Sequence, residues 1–510
     1  MNRRSFLRNT LAGTTAIAVT PAAFLASCSD GNQDILDDVL FGSVGGLSVP
    51  TPPLVNPFNS LDTQVANGSV ISANRNFYTF LGISGTFCYG YSNSVWGPTL
   101  TANTGESVSL TLESNLSSFG TNLHFHGLKL NANEEDGVEN GVNSGDSKTY
   151  NFTVANRAGM YWYHAQYQKN SGDQLGLGLG GLFVVSDSEE DGLNLPNGNL
   201  RSTTISLQDK RFNEDNQMLY GPNKAELLTG YFGETILVNG RVGVFKNVSS
   251  RYHRLRIING STARIYNLAL TTGDGTELEF NVIGNDGGLL KTLGAGVTQI
   301  LLAPGERLDT IVDFSTLAVG SEVFLSSKQF NAAGDYQGSA GFDIMKFVIN
   351  TADDETWSLP DDLSDITTLT EGDVTGETRN FDVSNGSISK DEATNNTDNM
   401  HTINGDAYDA GTVNFTVNAG TTEKWVIDNT GGTEPRVMHI YGVQFQVFDR
   451  TGGRGNIKQW EKGWKDTILL LPDEVVTLLV PFTGAPGVYY FASTNQEHAD
   501  TGLINRFEIV

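Results

Sequence analysis

The chain has 510 residues, which is too many for one hydrophobic core and suits two to four domains. A formal net charge of −26 repels phosphate backbones and anionic lipid headgroups, which excludes nucleic-acid binding as a function. The 58 glycines and the many short runs of Val, Ile, Thr and Phe, with few helix-like apolar periods, predict all-β structure.

The first residues have the pattern of an export signal. Arg3 and Arg4 precede Ser-Phe-Leu and a mildly apolar stretch, which resembles a twin-arginine signal, and "LASC" resembles the cleavage box of bacterial lipoproteins. The apolar stretch is short and contains a proline, which favours a removed signal over a membrane-spanning anchor. We therefore expect residues 1–27 to be a signal peptide and Cys28 to be lipidated. The protein would then lie at the periplasmic face of the envelope, and the serine after Cys28 favours the outer membrane.

Cys88 is the only cysteine besides Cys28. Once Cys28 is acylated, Cys88 has no disulfide partner in the chain, although an oxidising compartment would permit one. We predict that Cys88 is a buried apolar thiol, with its role left open.

Regular strand patterns begin after a turn-rich segment that we interpret as a tether leading into the first domain. In "SVSLTLESNL", apolar Val108, Leu110 and Leu112 alternate with polar residues, as in a half-buried strand. Two blocks, near the start and the end, each carry a His-x-[His or Tyr]-Gly strand and a later aromatic strand, which suggests diverged copies of one β-sandwich unit. The predicted division is tether 28–65, domains 66–190, 196–350 and 378–510, and an acidic linker 351–377.

Four histidines form a candidate metal site. "TNLHFHGL" places His124 and His126 two apart on a strand, so their side chains share one face. "GMYWYHAQ" supplies His164, and "PRVMHIYGVQFQV" supplies His439. Imidazole suits copper, zinc, iron and nickel, and the neighbouring glycine allows chains to approach closely. The alternative is that these are structural residues of a semi-buried interface, hydrogen-bonded to Gln166, Tyr441 or water.

The surrounding motifs resemble those of a known family. In order and spacing, the chain is similar to the three-cupredoxin-domain multicopper oxidases, especially the bacterial laccase and bilirubin-oxidase branch. The resemblance covers about residues 75–510 and implies an all-β fold of three consecutive cupredoxin-like Greek-key β-sandwich domains. It also implies metal sites in the third domain and between the first and third. The motifs that carry it are "WGPTL", "LHFHGL", "YWYHAQ", "GLGGLFVV", "GETILVNGRV", "YHRLRIINGS", "APGERLDTIVDFS", "TINGDAYD", "MHIYGVQFQV" and "GWKDTILL".

The resemblance places the family's type 1 copper ligands at four positions of which one is retained. They fall at Arg436, Ser493, His498 and Leu503, and His498 alone matches. A blue-copper site depends on an ionised thiolate, whereas a serine hydroxyl is hard and stays protonated, and an arginine brings a competing positive charge. We therefore expect no type 1 copper, and Cys88 cannot replace the thiolate because the resemblance places it in the first domain.

The family's trinuclear cluster is also incomplete. Its four His-x-His pairs fall at His124/His126, His164/Gln166, His439/Tyr441 and Ala492/Thr494. The whole chain has seven histidines, fewer than a complete ligand set, so laccase-type four-electron reduction of dioxygen is excluded.

The retained histidines are nevertheless not scattered. The resemblance matches His124 and His439 to type 2 positions and His126 and His164 to type 3 positions, which implies that four imidazoles converge. Such a set can hold one copper or zinc ion. We interpret His498, together with His253 and His401, as structural.

Two functional hypotheses follow. The pattern looks most like the copper-free, twin-arginine-exported cell-division members of the superfamily, although this chain departs from them by keeping "LHFHGL" and by its lipoprotein box. The first hypothesis is a non-catalytic envelope lipoprotein, a scaffold or interaction protein in cell division or envelope stress. Its partner would be an envelope protein, and it would touch the membrane through lipid alone. The second is a copper-binding protein or copper-dependent oxidoreductase that uses the residual histidine site.

Overall fold

The computed structural model describes residues 63–64, 68–80, 83–92, 95–117, 120–198, 200–331, 337–354, 356–386, 397 and 399–510. The expected signal peptide, the lipidated Cys28 and all of the tether except residues 63–64 lie outside the described residues. In the described ranges, no helix combines the length and apolar character needed to cross a bilayer.

The all-β prediction is confirmed. Six β-sheets form within the described residues, and the helices among them are short. Strand Ser107–Ser114 shows why: Val108, Leu110 and Leu112 are buried, while Ser107 and Glu113 are exposed. Because side chains alternate across a strand, this two-residue period gives each sheet one face to pack against a partner sheet.

The first two sheets use the first nine strands. Their shared core contains Phe125, Phe152 and Phe183 in mutual ring contact, and Tyr150 packs against Phe125. The sheet orders are β1-β4-β9-β8-β6 and β3-β2-β5-β7. The strands are β1 Thr63–Gln64, β2 Ser69–Phe80, β3 Ile83–Tyr91, β4 Leu100–Asn103, β5 Ser107–Ser114, β6 His124–His126, β7 Ser147–Thr153, β8 Gly159–His164 and β9 Gly180–Ser186.

The next two sheets enclose a second core, in which Phe314 packs against Phe347. Their orders are β13-β12-β10-β15-β21-β18-β19, with β11 paired to β10, and β14-β23-β22-β16-β17, with β20 paired to β16. The strands are β10 Ser202–Phe212, β11 Met218–Leu219, β12 Thr235–Val238, β13 Arg241–Val242, β14 Phe245–Ser249, β15 Tyr252–Asn259, β16 Tyr266–Thr272, β17 Glu277–Leu278, β18 Phe280–Asn285, β19 Gly288–Val297, β20 Gln299–Leu302, β21 Arg307–Asp313, β22 Glu322–Ser327 and β23 Phe342–Thr351.

The last two sheets pack around Phe381, Trp425 and Phe507. Their orders are β25-β24-β27-β31-β29 and β26-β33-β32-β28-β30. The strands are β24 Thr378–Asn385, β25 His401–Ile403, β26 Phe415–Val417, β27 Thr422–Asp428, β28 Arg436–Ile440, β29 Gln446–Gly452, β30 Thr467–Leu470, β31 Glu474–Pro481, β32 Gly487–Ser493 and β33 Ile504–Ile509.

Short helices connect some of these strands. The α-helices of the described residues are α1 Ser171–Gly176, α2 Ser188–Gly192, α3 Lys224–Thr229 and α4 Gln496–Asp500, and 3-10 turns lie at Glu371–Asp373 and Gln459–Glu461. Helix α4 begins at a cap in which the side chain of Asn495 accepts from the His498 backbone N–H.

The first and third sheet pairs repeat one arrangement. In the first, the strand order is β4-β9-β8-β6, in which β4 and β9 are parallel and the other two neighbouring pairs are antiparallel. In the third, the order β26-β33-β32-β28 has the same sequence of one parallel and two antiparallel pairs. The histidine motifs occupy equivalent strands, β6 and β28. Cys88 is buried on β3, where desolvation raises the pKa of its thiol to about 12, as expected of a structural thiol.

Candidate metal centre

Strands β6, β8 and β28 bring four histidines together. His124 and His126 lie two residues apart on β6, and the register of β6 with β8 places His164 opposite His124. His439 comes from β28 of the third sheet pair, and its ring stacks on that of His126 with 3.8 Å between centroids. All four are at most 1 % exposed. The convergence implied by the family resemblance is therefore present in the fold.

The first histidine pair joins two nitrogen atoms across the sheet pairs. Nε2 of His124 lies 3.2 Å from Nε2 of His439. Nδ1 of His439 donates to the backbone oxygen of Asp466 at 2.8 Å, and because a carbonyl can only accept, this ring must carry its proton on Nδ1. The free lone pair of His439 therefore points at His124.

The protonation state of Glu135 determines which ring nitrogen of His124 carries the proton. Its Oε2 lies 3.0 Å from Nδ1 of His124 and also accepts from the Phe125 N–H at 3.2 Å. When Glu135 is ionised, it accepts the Nδ1 proton of His124, and two Nε2 lone pairs then face each other. Burial raises the pKa of Glu135 to about 8, so the protonated form is the more populated one at neutral pH. That form can donate to His124, whose Nε2–H then donates to His439.

The second pair consists of His126 and His164. Nδ1 of His126 lies 3.4 Å from Nε2 of His164, whose Nδ1 donates to the backbone oxygen of Ala165 at 3.0 Å. On its other side, Nε2 of His126 lies 3.1 Å from Oδ1 of Asp466 and 2.7 Å from Oγ1 of Thr467. If Nε2 of His126 donates to that carboxylate, this pair too presents two lone pairs to each other.

Burial keeps the imidazoles of His124, His126 and His164 neutral. Burial, reinforced by neighbouring histidines, holds the pKa values of His124, His126 and His164 well below the ordinary value. Burial acts to raise the pKa of Asp466, but the charge and hydrogen bonds of Arg307 hold it well below the ordinary value. Neutral imidazoles with free lone pairs are the form that binds a metal ion.

The donor set fits a borderline metal ion. Ligand nitrogen atoms of His124, His126 and His439 all lie within 4.8 Å of one another. Two metal–nitrogen bonds of about 2.0–2.1 Å at a tetrahedral angle would place the nitrogens about 3.3–3.4 Å apart, close to the 3.2 Å between the His124 and His439 atoms. The residues that would hold copper or zinc are His124 and His439, with His126 and His164 beside them.

None of the remaining family positions carries a histidine that could restore a trinuclear site. Tyr441 stacks on the His124 ring with 3.9 Å between centroids. Gln166 donates its backbone N–H to Asn122, and Oγ1 of Thr494 donates to the Pro304 carbonyl. Ala492 lies opposite His439 in the β28–β32 register and has no donor atom. The expectation of a semi-buried interface bonded to Gln166 or Tyr441 is replaced by a fully buried one bonded chiefly to carboxylates and backbone oxygens.

The type 1 position holds an arginine side chain. Nη1 of Arg436 lies 3.2 Å from Nδ1 of His498, and Nη2 donates to Oδ1 of Asn385 at 2.6 Å. Nε2 of His498 donates to the backbone oxygen of Leu228 at 2.9 Å, so Nδ1 is the acceptor of the arginine. Burial lowers the pKa of Arg436 to about 10, which leaves it charged at neutral pH. The Ser493 hydroxyl accepts from the backbone N–H two residues later, and copper does not fit here.

The other sequence-predicted positions have structural partners. Leu503 is buried in the core of the third sheet pair. His253 bonds the Leu200 carbonyl and the Thr203 hydroxyl, and Nδ1 of His401 lies 2.7 Å from Oγ1 of Thr501.

Sequence reasoning missed Glu135, Asp466 and Arg307. The last two lie in quoted motifs, "GWKDTILL" and "APGERLDTIVDFS", and Glu135 lies in the acidic run that follows "LHFHGL". The two motifs indicated the family but gave no reason to assign Asp466 or Arg307 to the site. The contacts of Glu135 and Asp466 with the histidines, and of Arg307 with Asp466, depend on tertiary structure.

Three consecutive β-sheet pairs with buried imidazoles gathered between the first and third define a protein of the cupredoxin-based multicopper-oxidase type. Family comparison agrees, since residues 74–190 and 378–510 each match a multicopper oxidase family model. Residues 74–190 and 378–510 are therefore multicopper oxidase domains by family model, and the chain as a whole is similar to multicopper oxidases.

Individual relatives include oxidases and division proteins. The chain is 29% identical over 426 residues to multicopper oxidase mco of Staphylococcus haemolyticus, covering 82% of this chain and 83% of that protein. It is 28% identical over 512 residues to cell division protein FtsP of Pectobacterium atrosepticum, covering 98% and 97%. Among solved structures, the McoA multicopper oxidase of Aquifex aeolicus superposes with a TM-score of 0.80 at 27% identity, covering 90% of this chain and all of that one.

Proposed function

We propose that this protein is an exported envelope member of the multicopper oxidase family that works as a scaffold or interaction protein and not as an oxidase. The process would be cell division or protection of the envelope under stress. Similarity to cell division protein FtsP over 98% of the chain supports the first of these. The expected twin-arginine signal and lipidated Cys28 would place the protein at the periplasmic face of the envelope.

The observation that carries this proposal is the arginine at the type 1 position. A type 1 centre accepts electrons through a copper–thiolate bond. Here Ser493 offers no thiolate, and the Arg436 guanidinium occupies the Nδ1 lone pair of His498. A fixed buried cation at this place opposes a second cation, so substrate electrons have no acceptor.

The proposal is tested by complementation of a deletion strain. We expect the wild type and a His124→Ala/His439→Ala double variant to restore division and stress resistance equally, because a scaffold acts through its surface. Restoration by the wild type alone, at equal protein level, would count against the scaffold and favour a metal-dependent role. A Cys28→Ala variant, followed by fractionation and mass spectrometry of the N-terminus, tests the lipid anchor.

A second candidate function is metal binding at the histidine cluster. The observation that favours it is the 3.2 Å approach of two Nε2 atoms, one of which is fixed as a lone pair by the Asp466 carbonyl. A bound copper ion would supply Lewis acidity and one-electron redox chemistry, and zinc would supply Lewis acidity alone.

Metal analysis of protein exported natively tests this second function. We expect bound copper or zinc, with the amount reduced by His124→Ala or His439→Ala. The matched control is His253→Gln, which alters a buried histidine outside the cluster. Metal-free native protein that also takes up no added Zn²⁺ would refute the metal-binding function.

A further inference from the structure

Asp466 touches one histidine of each pair. It lies immediately before β30, and its backbone oxygen accepts from Nδ1 of His439 at 2.8 Å. Its side-chain Oδ1 lies 3.1 Å from Nε2 of His126. Thr467 donates to the same oxygen at 2.8 Å. A single residue of the third sheet pair therefore contacts the cluster through two different acceptors.

Arg307 holds this carboxylate in place. Its Nη1 donates to Oδ1 of Asp466 at 2.8 Å, and its Nη2 donates to Oδ2, which makes the pair bidentate. The guanidinium is itself fixed by backbone oxygens, since Nε donates to Met160 at 3.0 Å and Nη1 to Gly305 at 2.8 Å. Arg307 begins β21 of the second sheet pair, and Met160 lies on β8 of the first. All three sheet pairs thus meet at this ion pair.

Gly127 leaves room for the ion pair. It follows the "HFH" strand with a φ of 87°, in the left-handed region that favours glycine. A Cβ at this position would lie 2.4 Å from Oδ2 of Asp466 and 2.5 Å from Nη2 of Arg307. The backbone at Gly127 therefore packs directly against the Asp466–Arg307 ion pair, and a larger residue at this position would displace it.

We infer that Asp466, held by Arg307, is a positioning residue that fixes the tautomers of His126 and His439. A carboxylate and a carbonyl can only accept, and the Thr467 hydroxyl 2.7 Å from Nε2 of His126 gives its one proton to the same carboxylate. His126 therefore keeps its proton on Nε2, and His439 keeps its proton on Nδ1. Each ring then directs its remaining lone pair into the cluster. This inference rests on the metal-binding function, because the directed lone pairs are those that would bind the ion.

The alternative is that the ion pair only holds the sheet pairs together. The two readings differ in what the histidine rings do when the carboxylate is neutralised. In Asp466→Asn the side chain is nearly isosteric but can donate as well as accept, and the Thr467 hydroxyl no longer has a carboxylate to donate to. Nε2 of His126 then faces two groups that can each donate or accept, so its protonation is no longer fixed. His439 bonds the backbone oxygen, which the substitution leaves unchanged, and so serves as a control within the same protein.

The test is ¹⁵N NMR of histidine-labelled, metal-free protein, with ring signals assigned through single His→Gln variants. In the wild type we expect His126 in the Nε2–H form and His439 in the Nδ1–H form. In Asp466→Asn we expect His126 to populate the Nδ1–H form while His439 keeps its tautomer. An Nδ1–H form of His126 in the wild type would overturn the inference even if no variant folds. An unchanged His126 in folded Asp466→Asn would also overturn it.

Titration with Zn²⁺ separates this inference from the function on which it rests. We expect Asp466→Asn to bind Zn²⁺ about 10–100-fold more weakly than the wild type, as for other residues that orient metal-binding histidines. If the wild type shows the expected tautomers but binds no Zn²⁺, the metal-binding function fails, whereas the control of the two tautomers by Asp466 stands. If both proteins bind Zn²⁺ equally, the positioning role fails and the metal-binding function stands.

Discussion

Glu497 lies beside the arginine-filled copper position, and its carboxyl group gives a quantitative prediction. The residue is on α4, directly before His498, and is fully buried. Its Oε1 accepts from the Tyr220 hydroxyl at 2.6 Å, and hydrogen bonds to the carboxyl offset only part of the effect of burial on its pKa. Burial raises the pKa of Glu497 from 4.5 to about 7. A neutral amide should therefore suit this position better than a carboxylate.

The size and sign of the effect follow from proton linkage. Because the folded pKa lies above the unfolded one, the folded state binds the proton more tightly, and its contribution to stability is complete below about pH 4.5. That contribution is lost as the pH rises through about 7 and is constant at higher pH. The shift from 4.5 to about 7 corresponds to about 3 kcal/mol.

The assay is urea unfolding of the wild type and Glu497→Gln between pH 4.5 and 8.5. We expect the difference in free energy of unfolding to move in favour of the variant by about 3 kcal/mol across this range. Glu371→Gln, which alters an exposed carboxylate, is the matched control and should show a much smaller pH-dependent difference. A pH-independent difference between the wild type and Glu497→Gln would refute the reasoning.

Further predictions concern the arginine and the contact between the first and third sheet pairs. Arg436→Met should lower the free energy of unfolding by about 1–3 kcal/mol, measured in urea, because the buried Nδ1 of His498 loses its donor, whereas Asn385 is exposed and can bond water instead. Ser493→Cys alone should give no blue absorption band with Cu²⁺, since Arg436 remains; a strong band would contradict the blocking role of the arginine. Glu139 accepts from the hydroxyls of Tyr490 and Tyr408, so Tyr490→Phe should cost about 1.5–3 kcal/mol in the same unfolding assay. A loss below about 0.5 kcal/mol would show that this contact contributes little.

Much of the fold could be predicted because its signals are local. The alternation around Val108, Leu110 and Leu112 depends only on the two-residue period of a strand, and it identified a real strand. His124 and His126 were placed on one face by the same period. The approach of His439 is not local, and the sequence indicated it only through the family resemblance.

The features that define the site chemically could not be predicted from the sequence. Asp466 is 340 residues from His126 along the chain, and its contact depends on how three sheet pairs meet. Residue spacing also does not show which imidazole nitrogen carries a proton. Arg436 was predicted to bring a positive charge to the type 1 position, but its bond to His498 became visible only in the structure.

The central claim is that the type 1 position cannot hold copper, and copper loading of the mature protein tests it most directly. The measurement is the visible absorption spectrum of the natively exported, Cu²⁺-loaded protein, with metal content determined on the same sample. We expect no intense blue charge-transfer band, whether or not copper binds at the histidine cluster. An intense blue band, together with turnover of a phenolic laccase substrate, would contradict the account.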